Sequence, residues 1–313
     1  LSVIYLKTIY KNWENYRNIK TVFSIHNIAF QGKYSFDILN DVFGLCEFDR
    51  DTLDFGGCIN LMKGAIECAD KVTTVSPSYA DEILDPWYSH GLDTILRQRQ
   101  WKLCGILNGI DYIYNDPEND PAIAKHYNSR RQAGKYANKL ALQKELGLPQ
   151  TKEIPMLAII SRLASHKGFD LVQHVFEEIV NSNVQVVILG SGEWKYEQFF
   201  AEMAAKYPDK VALRTGFIPE LAHKIYAGAD IFLMPSKSEP CGLSQMVALR
   251  YGSIPIVRET GGLKDTVRPY SDFDGIGDGF SFADYTAKGM LLAVEEAIKV
   301  YFAERRVFRV IRD

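Results

Sequence analysis

The feature that most constrains the fold is the alternation of short apolar runs with longer amphipathic segments. Many of the runs are rich in Val and Ile, as buried strands are, and the segments between them have helical spacing. Strands that alternate with helices build parallel sheets with helices on both faces, so the sequence predicts an α/β protein. The predicted strands are 21–26, 71–76, 103–109, 156–162, 184–190, 210–216, 230–236 and 254–257. The predicted helices are 59–69, 78–84, 137–148, 168–181, 193–206, 219–228 and 242–251.

A polar stretch, residues 115–136, separates the predicted strands into two groups. This break predicts two domains, 1–110 and 111–300, followed by a further helical segment at 301–313. The 313 residues are enough for two ordinary domains. The first group of strands is too short for a full open sheet, so we expect the first domain to be incomplete.

The chain opens inside a helical pattern. Residues 1–13 have amphipathic spacing, the first residue is Leu1, and no capping residue precedes it. The opening has no basic segment ahead of an apolar core, so it is not a signal peptide. We therefore expect the chain to be a piece that lacks N-terminal sequence.

The bulk composition excludes several classes of protein. The net charge of −3 and the isoelectric point near 6.1 argue against a protein that binds nucleic acid. No apolar run reaches the ~18 residues of a membrane helix, so we expect no membrane partner. The five cysteines are scattered without a CxxC pair, which favours neither a zinc site nor a disulfide framework. A reducing compartment fits them best, namely the bacterial cytoplasm or, in a plant, the plastid.

Polar residues and glycines follow the predicted strands where several of them end. In doubly wound sheets ligands bind at the carboxyl ends of the strands, so these positions outline a cleft. One of them is SRLASHKG, 161–168, in which Arg162 and Lys167 precede a helix. Two fixed cations ahead of a helix N-terminus suit a diphosphate, and a solvated basic turn is the alternative.

The segment SKSEPCGLSQ, 236–245, is the sharper signal. A strand is followed by Glu239, then by Pro-Cys-Gly and a helix. The backbone N–H groups of Cys241, Gly242 and Leu243 would lie at the start of this helix and face an anion. Glu239 would accept hydrogen bonds from a sugar or stabilise positive charge. The alternative is that Glu239 is only an acid favourable to the helix dipole.

Two glycine-containing turns carry less information. In ETGGLKDTV, 259–267, Gly261 and Gly262 allow the backbone to approach a phosphate closely. LGSGE, 189–193, resembles half of a nucleotide-binding loop but lacks GxGxxG spacing. The sequence therefore does not predict a dinucleotide site.

His26 and two DxD strings can be explained by ordinary structural roles as well as by functional ones. His26 follows the first strand, where it either contacts a substrate or packs within the protein. The DxD strings, 49–51 and 272–274, follow no clear strand, and we interpret both as solvated loops. No metal site is predicted.

Seven strings occur in order along the chain. They are SIHNIAFQG, ADKVTTVSPSYADEI, GILNGID, ISRLASHKGFDL, LGSGE, AHKIYAGADIFLMPSKSEPCGLSQ and ETGGLKDTV. With them the chain closely resembles bacterial glycogen synthases and plant starch synthases, from Leu1 to about Tyr301. SEPCGL and NGID are the most specific of the strings.

The resemblance implies a GT-B fold, in which two Rossmann-like domains face a cleft. It implies retaining transfer of glucose from ADP-glucose to the non-reducing end of an α-1,4-glucan, without a cofactor. It also implies that Arg162 and Lys167 hold the donor diphosphate and that Glu239 lies near the donor sugar. His26 would bind that sugar and supply its backbone carbonyl next to C1. The other positions implied at the donor are Phe217 on adenine, the backbone of Cys241, Gly242 and Leu243, and Thr260 and Gly261 at the phosphates. Asn60 and Lys63 would lie on the acceptor side.

The mechanism needs fixed positive charge beside the leaving diphosphate. Arg162, Lys167 and a helix start at Gly242 supply that charge without a metal. No obvious nucleophile is present for a double displacement, which suggests front-side displacement, with the leaving phosphate accepting the acceptor's proton.

Two departures from the family bear on activity. The family's N-terminal Lys-x-Gly-Gly loop is absent, and residues 304–313 replace its C-terminal crossing helix. We therefore expect this chain to be a poor catalyst or inactive, while its second domain forms and binds ADP. His90, in a stretch that also departs from many relatives, has no assigned role.

Two alternatives stay open. The first is an inactive glucan- or nucleotide-binding module left by truncation, which a donor-binding assay would separate from an enzyme. The second is another retaining GT-B transferase, such as a sucrose or trehalose synthase. Those enzymes carry a Glu-x7-Glu pair, and the position eight residues after Glu239 is Val247, which argues against them.

Overall fold

The computed structural model describes residues 1–303, 307, 308 and 311. The chain divides into two compact units, Leu1–Asn108 and Gly109–Asp313. The sequence placed this division after residue 110. The helical segment predicted at 301–313 lies in large part outside the described residues.

The first unit is built on a small parallel sheet. Its elements are α1 (Ser2–Lys7), β1 (Val22–Ile25), β2 (Lys33–Tyr34), α2 (Arg50–Leu53), β3 (Asp54–Phe55), β4 (Cys58–Asn60), α3 (Leu61–Cys68), β5 (Lys71–Thr74), α4 (Pro77–Glu82), α5 (Asp93–Gln98) and β6 (Leu103–Gly105). The parallel strands have the order β1-β5-β6, and Val22 of β1 pairs with Lys71 of β5. A second sheet, of order β2-β4-β3, is antiparallel.

The second unit carries a larger sheet and its covering helices. Its elements are α6 (Ala133–Leu146), β7 (Met156–Ile160), α7 (Phe169–Asn181), β8 (Gln185–Leu189), α8 (Trp194–Lys206), β9 (Val211–Arg214), α9 (Pro219–Gly228), β10 (Ile231–Met234), α10 (Ser244–Arg250), β11 (Ile254–Arg258), α11 (Gly261–Thr266), β12 (Phe280–Phe282) and α12 (Ala287–Ala303). The strands have the order β12-β11-β10-β7-β8-β9, and every pair is parallel.

This six-stranded sheet has an apolar core on each face. Leu157 and Ile159 of β7 lie in one core cluster, together with residues of α7, α8 and α12. Met156 and Ala158, which alternate with them, lie in a second cluster with residues of α6 and α9. Successive side chains of a strand point to opposite faces, so helices on both sides are needed to bury them. The predicted α/β class is confirmed.

The predicted helix over residues 1–13 is shorter than expected, because α1 ends at Lys7. Thr8 leaves helical geometry, with φ −115° and ψ −81°. Its backbone N–H and its hydroxyl both donate to the carbonyl of Ile4, at 2.9 and 3.0 Å. A side chain that bonds the preceding turn competes with continuation of the helix.

Several elements were not predicted. The antiparallel strands β2, β3 and β4 and the last parallel strand, β12, are two or three residues long, too short for any periodic pattern. The 17-residue helix α12 was also omitted. Over the described part of the chain, no helix is both long and apolar enough to cross a bilayer.

Candidate active site

The site is formed where the strand order of the larger sheet reverses. From β7 the chain proceeds outward through β8 and β9, and it returns to the other side of β7 to form β10 and β11. The loops that leave β7 and β10 therefore diverge, and a crevice opens at their carboxyl ends. The basic loop (residues 161–168) follows β7, and the Glu239 loop (residues 235–243) follows β10.

Close backbone contacts hold these two loops together. Residues Ser165–Lys167 of the basic loop form one turn of 3₁₀-helix, which ends at Gly168. Gly168 has a φ of +80°, and a Cβ on it would lie 1.9 Å from the carbonyl oxygen of Pro235. The backbone N–H of Lys237 donates to the carbonyl of His166 at 2.9 Å. Glycine is required at position 168 by both conformation and space.

A buried carboxylate connects the two loops. The Nζ of Lys167 lies 2.6 Å from Oε2 of Glu239. The hydroxyl of Ser236 donates to the same oxygen at 3.0 Å. Glu239 is 8% exposed, so the Lys167 ammonium and the Ser236 hydroxyl take the place of water as partners of its carboxylate. The structure thus brings together two residues that the sequence assigned to the donor site separately.

Arg162 lies at the exposed side of the basic loop. Its guanidinium is 3.4 Å from Nε2 of His166. Desolvation and the positive charges of Lys167 and Arg162 lower the pKa of His166 below its ordinary value of 6.5. The imidazole is therefore neutral at pH 7 and its Nε2 can accept from Arg162.

A cavity of about 410 Å³ lies in the crevice. Its polar lining consists of Ser161, Arg162, Lys167, Ser236, Glu239 and Ser244. A second, more apolar cavity of about 500 Å³ adjoins it, since Arg162 and Ser244 line both. Phe217 lines the second cavity, and the residue is 92% exposed. A charged cavity beside an apolar one with an aromatic side chain suits a ligand with an anionic and a planar part.

The helix after the Glu239 loop begins later than predicted. The sequence placed its start at Gly242, whereas α10 begins at Ser244 and Leu243 is its N-cap. The reason is that Gly242 has a φ of +70°, which is not helical. The side-chain amide of Gln245 donates to the carbonyls of Cys241 and Gly242, at 3.1 and 3.0 Å. Gln245 thus fixes the turn in which we predicted donor contacts.

The Thr-Gly-Gly turn packs against the Glu239 loop. A Cβ on Gly261 would lie 2.1 Å from the carbonyl oxygen of Glu239. The backbone N–H of Gly262 lies 3.2 Å from that same oxygen. Thr260 is fully buried at the N-cap of α11. Close packing explains both glycines, and contact of Thr260 and Gly261 with phosphate stays a prediction.

Three predicted site residues belong to the first unit. His26 is exposed and directly follows β1. Asn60 is fully buried at the N-cap of α3, where its side chain accepts from the backbone N–H of Lys63 at 3.0 Å. The Nζ of Lys63 donates to the carbonyl of Asp51 at 2.5 Å. Asn60 and Lys63 therefore have protein partners, and their acceptor-side role rests on the resemblance alone.

The backbone of His90 has a structural role that the sequence did not predict. It has a φ of +49°, and its carbonyl accepts from the side-chain amide of Gln31 at 3.2 Å. The other end of Gln31 accepts from Asn60 at 2.7 Å. The backbone of His90 thus fixes Gln31, the next-to-last residue of the SIHNIAFQG string.

The DxD strings differ in structure from each other. Asp49 ends a 3₁₀ turn and Asp51 lies in α2, so the first string is helical and not a loop as predicted. The Asp49 carboxylate stabilises the turn, since it accepts from the backbone N–H of Cys46. The second string, 272–274, lies in a turn region as predicted. Among the described residues, no group of three His, Cys, Asp or Glu side chains is placed to hold a metal.

Sequence reasoning did not identify the Lys167–Glu239 contact or the part played by Ser236. The two charged residues are 72 positions apart, and no local pattern connects them. The available signal was topological, because both follow strands of one parallel sheet. Had the sequence shown that these two strands are neighbours in the sheet, the contact between the residues that follow them could have been predicted.

Comparisons with known proteins agree with this geometry. Residues 1–98 match the family described as starch synthase catalytic domain, and residues 139–308 match the family described as glycosyl transferases group 1. The glycogen synthase of Geobacillus thermodenitrificans is 48% identical over 298 residues, which cover 95% of this chain and 61% of that protein. The glycogen synthase of Anoxybacillus flavithermus is 50% identical over 288 residues, covering 91% of this chain and 60% of that protein.

A solved structure of a starch synthase is also similar to this chain. The catalytic domain of starch synthase IV from Arabidopsis thaliana, bound to ADP and acarbose, superimposes with a TM-score of 0.88 at 33% identity. The match covers 99% of this chain and 66% of that one. The chain thus spans about three fifths to two thirds of the length of these relatives. The predicted GT-B fold class and the predicted family are confirmed.

Proposed function

Because the chain belongs to the glycosyl transferases group 1 family, we propose that the protein transfers glucose from ADP-glucose to the non-reducing end of an α-1,4-glucan. The anomeric configuration is retained. The observation that carries the proposal is the arrangement of Arg162, Lys167 and Glu239 around one cavity at the switch point of the sheet. Two cations for a diphosphate and one shielded carboxylate for a sugar are what such a donor requires.

The donor binds across the two adjoining cavities. Its diphosphate lies against Arg162 and Lys167. Its adenine lies in the apolar cavity against the exposed ring of Phe217, where a planar base can stack. The backbone of Cys241, Gly242 and Leu243 contacts the donor from the turn that Gln245 fixes. Thr260 and Gly261 contribute backbone contacts to the phosphates.

Chemistry takes place at C1 of the donor glucose. The bond from C1 to the diphosphate oxygen breaks, and a bond from C1 to the acceptor's 4-oxygen forms on the same face. The acceptor hydroxyl gives its proton to an oxygen of the departing diphosphate. Arg162 and Lys167 stabilise the charge that develops on that leaving group, which is the largest contribution expected from this site. These two cations and the neighbouring backbone N–H groups act without a cofactor.

Glu239 and His26 act on the sugar. The Glu239 carboxylate has a Lys167 contact and a Ser236 contact on one oxygen, Oε2, and it reaches the cavity that receives the donor. It accepts hydrogen bonds from the glucose and stabilises the positive charge that develops near C1. His26 binds the donor sugar, and its backbone carbonyl lies next to C1. Asn60 and Lys63 serve the acceptor side by maintaining the start of α3.

The relatives support these substrates. Two of them carry the name glycogen synthase, and the similar Arabidopsis structure is bound to ADP and acarbose. Cys46 and Cys104 are exposed, and neither forms a disulfide among the described residues. Exposed thiols fit a reducing compartment, so we place the protein in the bacterial cytoplasm or a plastid.

The test is incorporation of labelled glucose from ADP-glucose into glycogen by the purified protein. Because the chain spans only about three fifths of its relatives and is expected to be a poor catalyst, we expect slow transfer that depends on ADP-glucose and that is lost in Glu239→Ala. UDP-glucose serves as the matched donor, and we expect it to be used less well. ADP binding without any transfer would identify a nucleotide-binding module instead of an enzyme. Transfer that persists in Glu239→Ala would contradict the assignment of the site.

A further inference from the structure

The LGSGE string was left without a function by the sequence, and the structure places it against the basic loop. The glycine loop (residues 190–193) follows β8, the neighbour of β7. The backbone N–H of Leu163 donates to Ser191 at 2.9 Å, and the backbone N–H of Glu193 donates to Leu163 at 2.7 Å. The loops that follow β7 and β8 are thus joined by main-chain bonds.

The two glycines are explained by this contact. A Cβ on Gly190 would lie 1.9 Å from the carbonyl oxygen of Ser161. A Cβ on Gly192 would lie 2.2 Å from the carbonyl oxygen of Leu163. Both distances are far inside van der Waals contact, so only glycine allows the two backbones to meet. The glycines therefore serve loop packing within the protein.

The carboxylate of Glu193 completes the connection. Its Oε1 accepts from the backbone N–H of Ser165 at 2.6 Å and from the Ser165 hydroxyl at 2.9 Å. Its Oε2 lies 2.8 Å from the same hydroxyl. The bond from the Ser165 backbone is the main cause of a lowered pKa at Glu193, so the carboxylate is ionised. Ser165 is the first residue of the 3₁₀ turn that contains Lys167.

We propose that Glu193 is a positioning residue for the diphosphate cations. It anchors the first residue of the Ser165–Lys167 turn, and the turn fixes the Lys167 side chain beside Glu239. The inference rests on the proposed function, in which Arg162 and Lys167 hold a diphosphate. Without the anchor, the turn can adopt more conformations. Binding of a diphosphate must then order the turn, and this loss of entropy lowers the affinity. The adenosine part of the ligand contacts the second cavity, which Phe217 lines together with Gly190, Ser191 and Gly192. The main-chain bonds that hold this glycine loop do not use the Glu193 side chain, so we expect adenosine binding to be unaffected by the loss of the carboxylate.

The test compares ADP with adenosine as ligands in calorimetric titrations of the full chain. We expect Glu193→Ala to weaken ADP binding about tenfold, as loss of a charge-assisted bond typically does, and to leave adenosine binding unchanged. Glu193→Gln keeps an oxygen for the Ser165 N–H and is expected to recover most of the affinity. Glu202→Ala is the matched control, because Glu202 lies in α8, the helix that Glu193 precedes, and among the described residues its side chain bonds only Gln198. It is expected to bind ADP as the unchanged protein does.

Arg162→Ala separates this inference from the proposed function. If Arg162→Ala loses ADP affinity and Glu193→Ala does not, positioning by Glu193 is wrong and the diphosphate site stands. If Arg162→Ala keeps full ADP affinity, the proposed function itself fails. Equal loss of ADP and adenosine in Glu193→Ala would indicate general damage and overturn the inference. Should Glu193→Ala not fold, Ser165→Pro decides, because it removes both the backbone N–H and the hydroxyl that bond Glu193, at a first-turn position where proline is tolerated. A severalfold loss of ADP affinity with adenosine affinity unchanged supports positioning, and no loss contradicts it.

Discussion

The Nζ of Lys167 lies 2.6 Å from Oε2 of Glu239, and this pair connects two loops that are 72 residues apart in sequence. The side chains are 20% and 10% exposed, so the pair is largely shielded from water. The Lys167 side chain proposed to bind a diphosphate is thus already in position before any ligand arrives. Such preorganisation lowers the cost of reorganisation when the leaving group develops charge.

Glu239→Ala is expected to lower the rate of glucose transfer by about two orders of magnitude or more. The sugar loses a carboxylate, and Lys167 loses the partner that positions it. Transfer rates with saturating ADP-glucose measure the effect. The control is Glu177→Ala, which also removes an acid bonded to a lysine, Lys206, but at the surface. Unchanged turnover in a well-folded Glu239→Ala protein would contradict the assignment.

Arg162→Ala is expected to reduce kcat/KM for ADP-glucose about 100-fold, equivalent to roughly 3 kcal/mol of barrier. Stability should change little, because Arg162 is exposed and its contact with His166 is long, at 3.4 Å. Arg268→Ala, at an exposed arginine paired with Asp278, provides the control. If the two variants have similar kinetics, the diphosphate binds elsewhere.

His166 is expected to titrate below pH 6.5 in the folded protein. Desolvation is the main cause, Lys167 and Arg162 add to it, and Glu239 and Glu193 oppose it. Since the folded-state pKa is lowered, the stability linked to the neutral ring is complete above pH 6.5. It is lost as the pH falls below 6.5 toward the folded-state pKa. NMR titration gives the pKa, and urea unfolding of His166→Gln should show a flatter pH dependence there. A pKa at or above 6.5 would contradict the structure.

Asp230→Ala is expected to destabilise the protein by about 3–5 kcal/mol, because it leaves a buried lysine without its counter-ion. Lys139 and Asp230 have side chains only 1% and 2% exposed, and their charged atoms are 2.6 Å apart. Urea unfolding measures the loss. Glu145→Ala is the matched control, since it breaks an exposed pair with Lys224, and we expect it to cost less than about 1 kcal/mol. Equal losses of unfolding free energy in the two variants would contradict the distinction between the buried and the exposed ion pair.

Most of the larger sheet could be predicted from the sequence because its strands are buried on both faces. Gln185–Leu189 is buried at every position, and such strands give an uninterrupted apolar signal. The strand Phe280–Phe282 has three residues, which is too few for a period. The helix Ala287–Ala303 does have helical spacing, and our prediction omitted it.

The sequence led to a candidate site as a set of separate residues, but it did not provide the contacts between them. Arg162, Lys167 and Glu239 were identified because each follows a strand of a predicted parallel sheet. The contact between Lys167 and Glu239 depends on the order of the strands, which hydrophobic periodicity does not determine. The glycines of LGSGE were not assigned for a similar reason, because their neighbours are backbone atoms of another loop. Strand order is therefore the information that the sequence alone did not provide.

The most direct test of the proposed donor site is a crystal structure of the protein with ADP. We expect the diphosphate within hydrogen-bond distance of the Arg162 guanidinium and the Lys167 Nζ, with adenine stacked on Phe217. Absence of bound ADP at millimolar concentration, or its binding away from these residues, would contradict the central claim.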